Sequence, residues 1–190
     1  MSSRGKHSES RFEDAIEIEL IARGYEKRAP EAYGAKTGLF PADVVAYIKA
    51  SQPKKWQSLA DLEGDAAESV LLDALVKELA TKGSLHVLRH GFKCFGKTYQ
   101  MAAFKPASGM NPASIAAYGQ YILTITRQVR FNPDSGESVD VVLAVNGIPV
   151  ATLELKNPMT GQTVRDAQRQ YEADRDPRLP FFKFKERALV

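Results

Sequence analysis

Residues 138–156, SVDVVLAVNGIPVATLELK, constrain the fold of this chain more than any other stretch. Two apolar, β-branched runs flank Asn146-Gly147, a dipeptide that marks a tight hairpin turn. Strands this apolar belong in a core, yet they carry Asp140, Glu154 and Lys156, which are costly to bury unless paired or metal-bound. A two-residue turn alone would set Asp140 across from Leu153 and turn Glu154 to the other face, because side chains alternate along a strand. An odd-length loop or a bulge restores the shared face, so the charge pattern predicts one or the other. Such a register also puts Val139, Val141, Leu143 and Val145 with Ala151, Leu153 and Leu155 on an apolar opposite side.

The rest of the chain supplies a frame for that hairpin. Phe12, Ile16 and Leu20 form an i, i+4 row over a helix from Phe12 to Arg23, with Glu9, Glu13 and Glu17 read as its solvated edge. Pro41 begins a helix that ends near Gln52-Pro53, and Asp65–Thr81 carries a longer one, stopped by Gly83. Ser84–Arg89, Tyr99–Phe104 and Gln120–Phe131 read as strands, and Glu26–Phe40 as irregular. Thr163 is the N-cap of a helix to Arg175, with Asp166 three residues on. The expected class is α+β, a mixed sheet flanked by helices.

Composition narrows the possibilities further. At 190 residues, 44% apolar and 26% charged, the chain suits one soluble domain, read as 10–190 after a disordered lead-in at 1–9. A single cysteine, Cys94, excludes an internal disulfide framework and points to a reducing cytoplasm. The sequence contains neither an apolar run of membrane-spanning length nor a signal-peptide core. Apolar residues run to the end, which suggests a fragment of a longer protein.

Three chemistries compete. Gly91–Thr98, GFKCFGKT, matches the phosphate-loop spacing, but bulky residues fill the positions where backbone must wrap a phosphate, and no helix start follows. A hairpin connection fits better. His86 and His90 fall in a segment read as a strand, where an i, i+4 metal pair does not form. Asp140 and Glu154 on adjacent strands remain. They can hold Mg²⁺, with the Leu155 carbonyl as a further ligand and Lys156 to orient a metal-bound water. That grouping suits phosphodiester hydrolysis; a strand-edge ion pair is the simpler alternative.

At these residues the chain resembles the PD-(D/E)xK nucleases, and more narrowly the N-terminal domain of the R subunit of type I restriction-modification enzymes. The resemblance is carried by FEDAIEIELIARGY, KASQPKKW, LHVLRHGFK, FKPASGMNP, ITRQVRFNP and NGIPVATLELKNPMTGQTVRDAQRQYEADRDPRLPFF. It implies a restriction-endonuclease-like fold and a Mg²⁺-dependent endonuclease with Asp140 and Glu154 as metal ligands and Lys156 as the catalytic lysine. Val139 stands where the naming proline would be. The resemblance further implies an acidic residue from the first helix, matched by Glu13 with Glu17 as alternative, and an A-x-x-Q-x-x-x-Y pattern. Ala167 and Gln170 fit that pattern, but Asp174 replaces its tyrosine and Tyr171 is displaced. In such subunits the domain precedes an ATP-driven motor, acts on double-stranded DNA and assembles with methyltransferase and specificity subunits. Arg127, Arg130, Arg165, Arg169, Lys54 and Lys55 are then candidates for phosphate contact. A stand-alone repair or junction nuclease and a non-catalytic docking domain are the alternatives.

Overall fold

The computed structural model describes residues 3–106, 111–132, 136–156, 163–169, 172, 176–183 and 185–187, with 3–10, 113, 114, 164 and 167 described by their backbone alone. Its centre is a four-stranded mixed sheet in the order β1-β4-β5-β6 (Glu26–Arg28, Leu123–Arg130, Ser138–Val145, Ile148–Leu153). β1 runs parallel to β4, while the β4–β5 and β5–β6 pairs are antiparallel. The class is therefore α+β. The short β1 was hidden in a stretch read as irregular, because three polar residues at an edge, Glu26-Lys27-Arg28, carry no apolar alternation.

The hairpin turn is tight, and its position in the interior is unusual. Asn146 and Gly147 have φ of 51° and 82°, the left-handed pair that a two-residue turn matched to strand twist requires. Val145 pairs with Ile148 and Ala144 with Pro149, but Leu143 pairs with Ala151, so Val150 is an extra residue. The bulge required by the charge pattern is present. It follows Pro149, which cannot donate to the ladder and is tolerated here because β6 is an edge strand. Asn146 is fully buried and closes its own environment: its amide donates to the Met101 carbonyl (2.8 Å) and its Oδ1 accepts from the Ile122 N–H (2.8 Å).

α2 (Pro41–Ser51), α3 (Pro53–Glu63), α4 (Ala67–Lys82) and α5 (Ser84–His90) contribute to a core of Val44, Tyr47, Ile48, Leu59, Leu71, Leu75, Leu79 and Val87 that reaches Ile148. A second cluster gathers Tyr33, Phe40, Val129, Phe131, Val139, Val142, Ala144 and Phe181. The expected one-sided apolar face of β5 is corrected accordingly. Val139, Val141, Val142 and Ala144 are buried, whereas Leu143 and Val145 are partly exposed.

Two other expectations change. Ser84–Arg89 is helix α5, not a strand: its buried positions, Ser84 and Val87, are three apart, and Gly83 and Gly91 bound it. His86 and His90 thus do stand one turn apart, with ring centroids 4.7 Å from each other. The strand expected at Tyr99–Phe104 lies earlier. β2 (Phe92–Cys94) and β3 (Lys97–Tyr99) pair across Phe95-Gly96, so GFKCFGKT is a β-hairpin. α6 (Pro112–Tyr118) was not foreseen, and α7 (Val164–Arg169) follows Thr163 as expected. Thr163 N–H and Oγ1 both donate to Asp166 Oδ2, at 2.6 and 2.9 Å. Among the described residues no helix is long and apolar enough to cross a membrane.

The first helix, α1, is recorded from Ser3 to Ala22, overlapping the expected lead-in. Its orientation differs from the expected one at Phe12 and at Glu13. Phe12 is 56% and Ile18 68% exposed, whereas Glu13 is 7% exposed and buried against β4. Ile16 and Leu20 of the apolar row are half-buried, as is Glu17, so the helix turns Glu13 inward without turning the whole row to solvent.

Candidate active site

The site forms where α1, β4, β5 and the end of β6 meet. Continuing the paired register Val141↔Leu153 by one step sets Asp140 across from Glu154, a consequence of the Val150 bulge. Contacts beyond the ladder agree with this register: the Leu155 N–H donates to Asp140 Oδ2 at 2.7 Å. Lys156 Nζ donates to Glu154 Oε1 at 3.1 Å, with the Glu154 side chain 5% exposed. The structure therefore brings Asp140, Glu154, Leu155 and Lys156 together.

Glu13 reaches the same place from α1. Arg127 donates to its Oε2 from Nε at 2.8 Å and from Nη2 at 2.6 Å. The same guanidinium meets Asp14 Oδ1 at 2.6 Å and Glu17 Oε2 at 3.7 Å. Burial opposes the charge on Arg127, but its hydrogen bonds to Asp14 and Glu13 outweigh that and raise its pKa above the ordinary value. Arg127 is thus committed to the helix acids, which corrects its reading as a phosphate contact. Lys55 is likewise turned inward, donating to the Thr98 carbonyl and to Gln52 Oε1. Lys54, Arg130, Arg165 and Arg169 are exposed. Glu17 is paired with Lys27 at 2.7 Å, so Glu13 is the α1 acid that connects to Asp140.

That connection runs through Gln128, which the sequence reading missed. Its amide nitrogen lies 3.1 Å from Glu13 Oε1 and 3.3 Å from Asp140 Oδ1, and its Oε1 accepts from Ser138 Oγ at 3.2 Å. Gln128 stands across from Asp140, between the pairs Arg127↔Val141 and Val129↔Val139. Only the β4–β5 register could have revealed it. Gln170, Tyr171 and Asp174 lie outside the described residues.

The donor set suits a hard cation. Among the described residues no group of three or more His, Cys, Asp or Glu side chains converges on one point. Asp140 and Glu154 offer two carboxylates, which is what Mg²⁺ takes alongside waters and phosphate oxygens. Asp140 is held by neutral donors, the Leu155 N–H and the Gln128 amide, so its charge is available to an incoming cation.

Comparison with known families gives a match over part of the chain. Residues 117–185 match the family described as type I restriction enzyme R protein N terminus. The matched stretch is a little over a third of the chain; it contains β4, β5, β6, Arg127, Gln128, Asp140, Glu154, Leu155 and Lys156, whereas Glu13, Asp14 and Glu17 of α1 lie outside it. Neither the curated proteins nor the solved structures yield a match.

Proposed function

We propose that this chain, whose residues 117–185 match the type I restriction enzyme R protein N terminus, is the DNA-cleaving module of such a subunit. In this reading it is a Mg²⁺-dependent endonuclease of the PD-(D/E)xK kind. It acts on double-stranded DNA in the cytoplasm, assembled with methyltransferase and specificity subunits. One observation supports this most: the bulge at Val150 sets Asp140 across from Glu154 with Lys156 beside it, inside the segment that matches the family.

Asp140 and Glu154 would hold the ion, with the Leu155 carbonyl as a further ligand. Bound there, Mg²⁺ would act as a Lewis acid on the phosphate and lower the pKa of its water. Lys156, steadied by Glu154, places a donor where it can orient the attacking water and offset charge building on the phosphate. Glu13, paired with Arg127, borders the site on the α1 side and is linked to Asp140 through Gln128. Gln170 would organise the site or contact DNA, a role carried from the family resemblance. The exposed Arg130, Arg165 and Arg169 are suited to phosphates rather than bases, as expected of a module whose site choice lies in another subunit. ATP would belong to the motor of a full subunit; GFKCFGKT forms a hairpin with no helix N-terminus for phosphates.

The test is cleavage by the assembled enzyme carrying Asp140→Ala, Glu154→Ala or Lys156→Ala. Each should abolish cleavage and leave ATP hydrolysis intact, and cleavage retained in any one refutes its assigned role. Calorimetry of the 190-residue chain with Mg²⁺ or Mn²⁺ separates the other readings. Absence of binding favours a docking domain, and efficient cleavage by the chain alone favours a stand-alone repair or junction nuclease.

A further inference from the structure

Gln128 is the described residue of β4 with a left-handed backbone, φ 53°, in a strand that otherwise pairs regularly on both sides of it. For a residue with a Cβ this conformation is strained. Packing does not explain the cost, because Gln128 is exposed. Its geometry suggests what does. Neighbouring residues on an ideal strand point to opposite faces. Here Arg127 and Gln128 both reach Glu13, the first at Oε2 and the second at Oε1. The kink puts two successive side chains on one carboxylate and leaves the second amide hydrogen of Gln128 for Asp140.

The direction of the amide is fixed by the same network. Carboxylates accept hydrogen bonds, so the NH₂ end must face Glu13 and Asp140, and Ser138 Oγ at 3.2 Å occupies the oxygen end. Asp140 is then held at both oxygens, by Leu155 N–H at Oδ2 and by Gln128 at Oδ1. Its rotation is set before any cation arrives.

From this geometry we propose that Gln128 is a positioning residue of the metal site: its strained backbone exists to let one neutral amide align Asp140 with Glu13. The proposal rests on the metal-site reading above. A neutral donor is the suitable tool, since it fixes a carboxylate without cancelling the charge that attracts the ion, as Lys or Arg would. Outer partners of ligating carboxylates typically matter by about 10–100-fold in metal affinity.

The experiment is calorimetric titration of the 190-residue chain with Mg²⁺ and with Mn²⁺, together with thermal melting, for wild type, Gln128→Gly and Gln128→Asn. Both substitutes tolerate a left-handed backbone, and neither carries an amide long enough to bridge the two acids. The expected result for each is metal affinity lower by about tenfold or more, with a melting temperature equal to wild type or higher. Affinity within twofold of wild type overturns the proposal. So does an affinity loss accompanied by a matching fall in melting temperature, which would make the amide a structural brace. Asp140→Ala is the control for the underlying reading. If the wild type binds neither ion and Asp140→Ala matches it, both readings fall; if the wild type binds and Gln128→Gly binds equally, only this one does.

Discussion

At the scale of single residues, the buried Glu13 and its partner Arg127 decide how α1 sits. Removing one member of a largely buried ion pair leaves the other desolvated and uncompensated, whereas an exposed member contributes little. Arg127→Met, which keeps most of the volume, should therefore destabilise the chain by about 2–3 kcal/mol. Asp14→Asn, on the same guanidinium but 54% exposed, should change stability by less than about 0.5 kcal/mol. Urea unfolding of both variants checks the contrast, and equal effects would show that Glu13 is not the anchor. The same pair explains why Glu13 was read as solvated. Phe12, Ile16 and Leu20 have the spacing of a core row, and nothing within the helix reveals that β4 offers a guanidinium and an amide instead. Glu13 was singled out by the family resemblance alone; its periodicity made it a solvated edge.

At the scale of elements, the β5–β6 hairpin was the most legible part of the chain and also the most deeply inserted. Asn-Gly gave the turn, and the parity of three charged residues demanded an irregularity. The irregularity's address, Val150, depended on Pro149 lacking an N–H and on β6 being an edge, and only the second needed the tertiary structure. By contrast α5 was misread because seven residues between two glycines give too little periodicity to separate helix from strand. The turn packs directly on α2: Phe40 N–H donates to the Gly147 carbonyl at 2.9 Å. A Cβ on Gly147 would stand 2.5 Å from Val44 Cγ2 and 2.6 Å from the Phe40 carbonyl oxygen. Gly147→Ala should therefore combine a left-handed penalty with overpacking and cost roughly 2–4 kcal/mol. Gly96, at φ 72°, turns the β2–β3 hairpin with nothing within 4 Å of such a Cβ. Gly96→Ala should thus lose only the backbone part, about 1–2 kcal/mol. Denaturant midpoints of the two variants measure the difference, and a Gly147→Ala as mild as Gly96→Ala would mean that the turn is free of α2.

At the scale of the whole molecule, the segment that carries the family match is not the unit that folds. Residues 117–185 hold β4 to β6 and the ladders between them, but further contacts that bury these strands come from elsewhere. Glu13 on α1 neutralises Arg127, Val44 and Phe40 receive the hairpin turn, and Met101 accepts from the buried Asn146. Beyond the matched stretch, Arg187 is 1% exposed and donates from Nε to the Gly38 carbonyl at 3.0 Å and from Nη2 to that of Thr37. Burial pulls its pKa below the usual arginine value, with the nearby Glu186 and Tyr33 opposing that shift. Ser84 Oγ meanwhile donates to the Arg187 carbonyl at 2.8 Å, so this residue ties the end of the described chain to both α5 and the loop before α2. A fragment of 117–185 alone would expose Ile148, uncover part of the surface of Val142 and Ala144, and leave the Asn146 amide without its Met101 acceptor, a loss of several kcal/mol against the about 5–15 kcal/mol that a domain has in total. Such a fragment should show no cooperative thermal transition and no dispersed amide spectrum, while the 190-residue chain shows both. A fragment that melts cooperatively would overturn this account. It would also mean that the proposed metal site can be assembled without α1, which the bonds from Arg127 and Gln128 to Glu13 argue against.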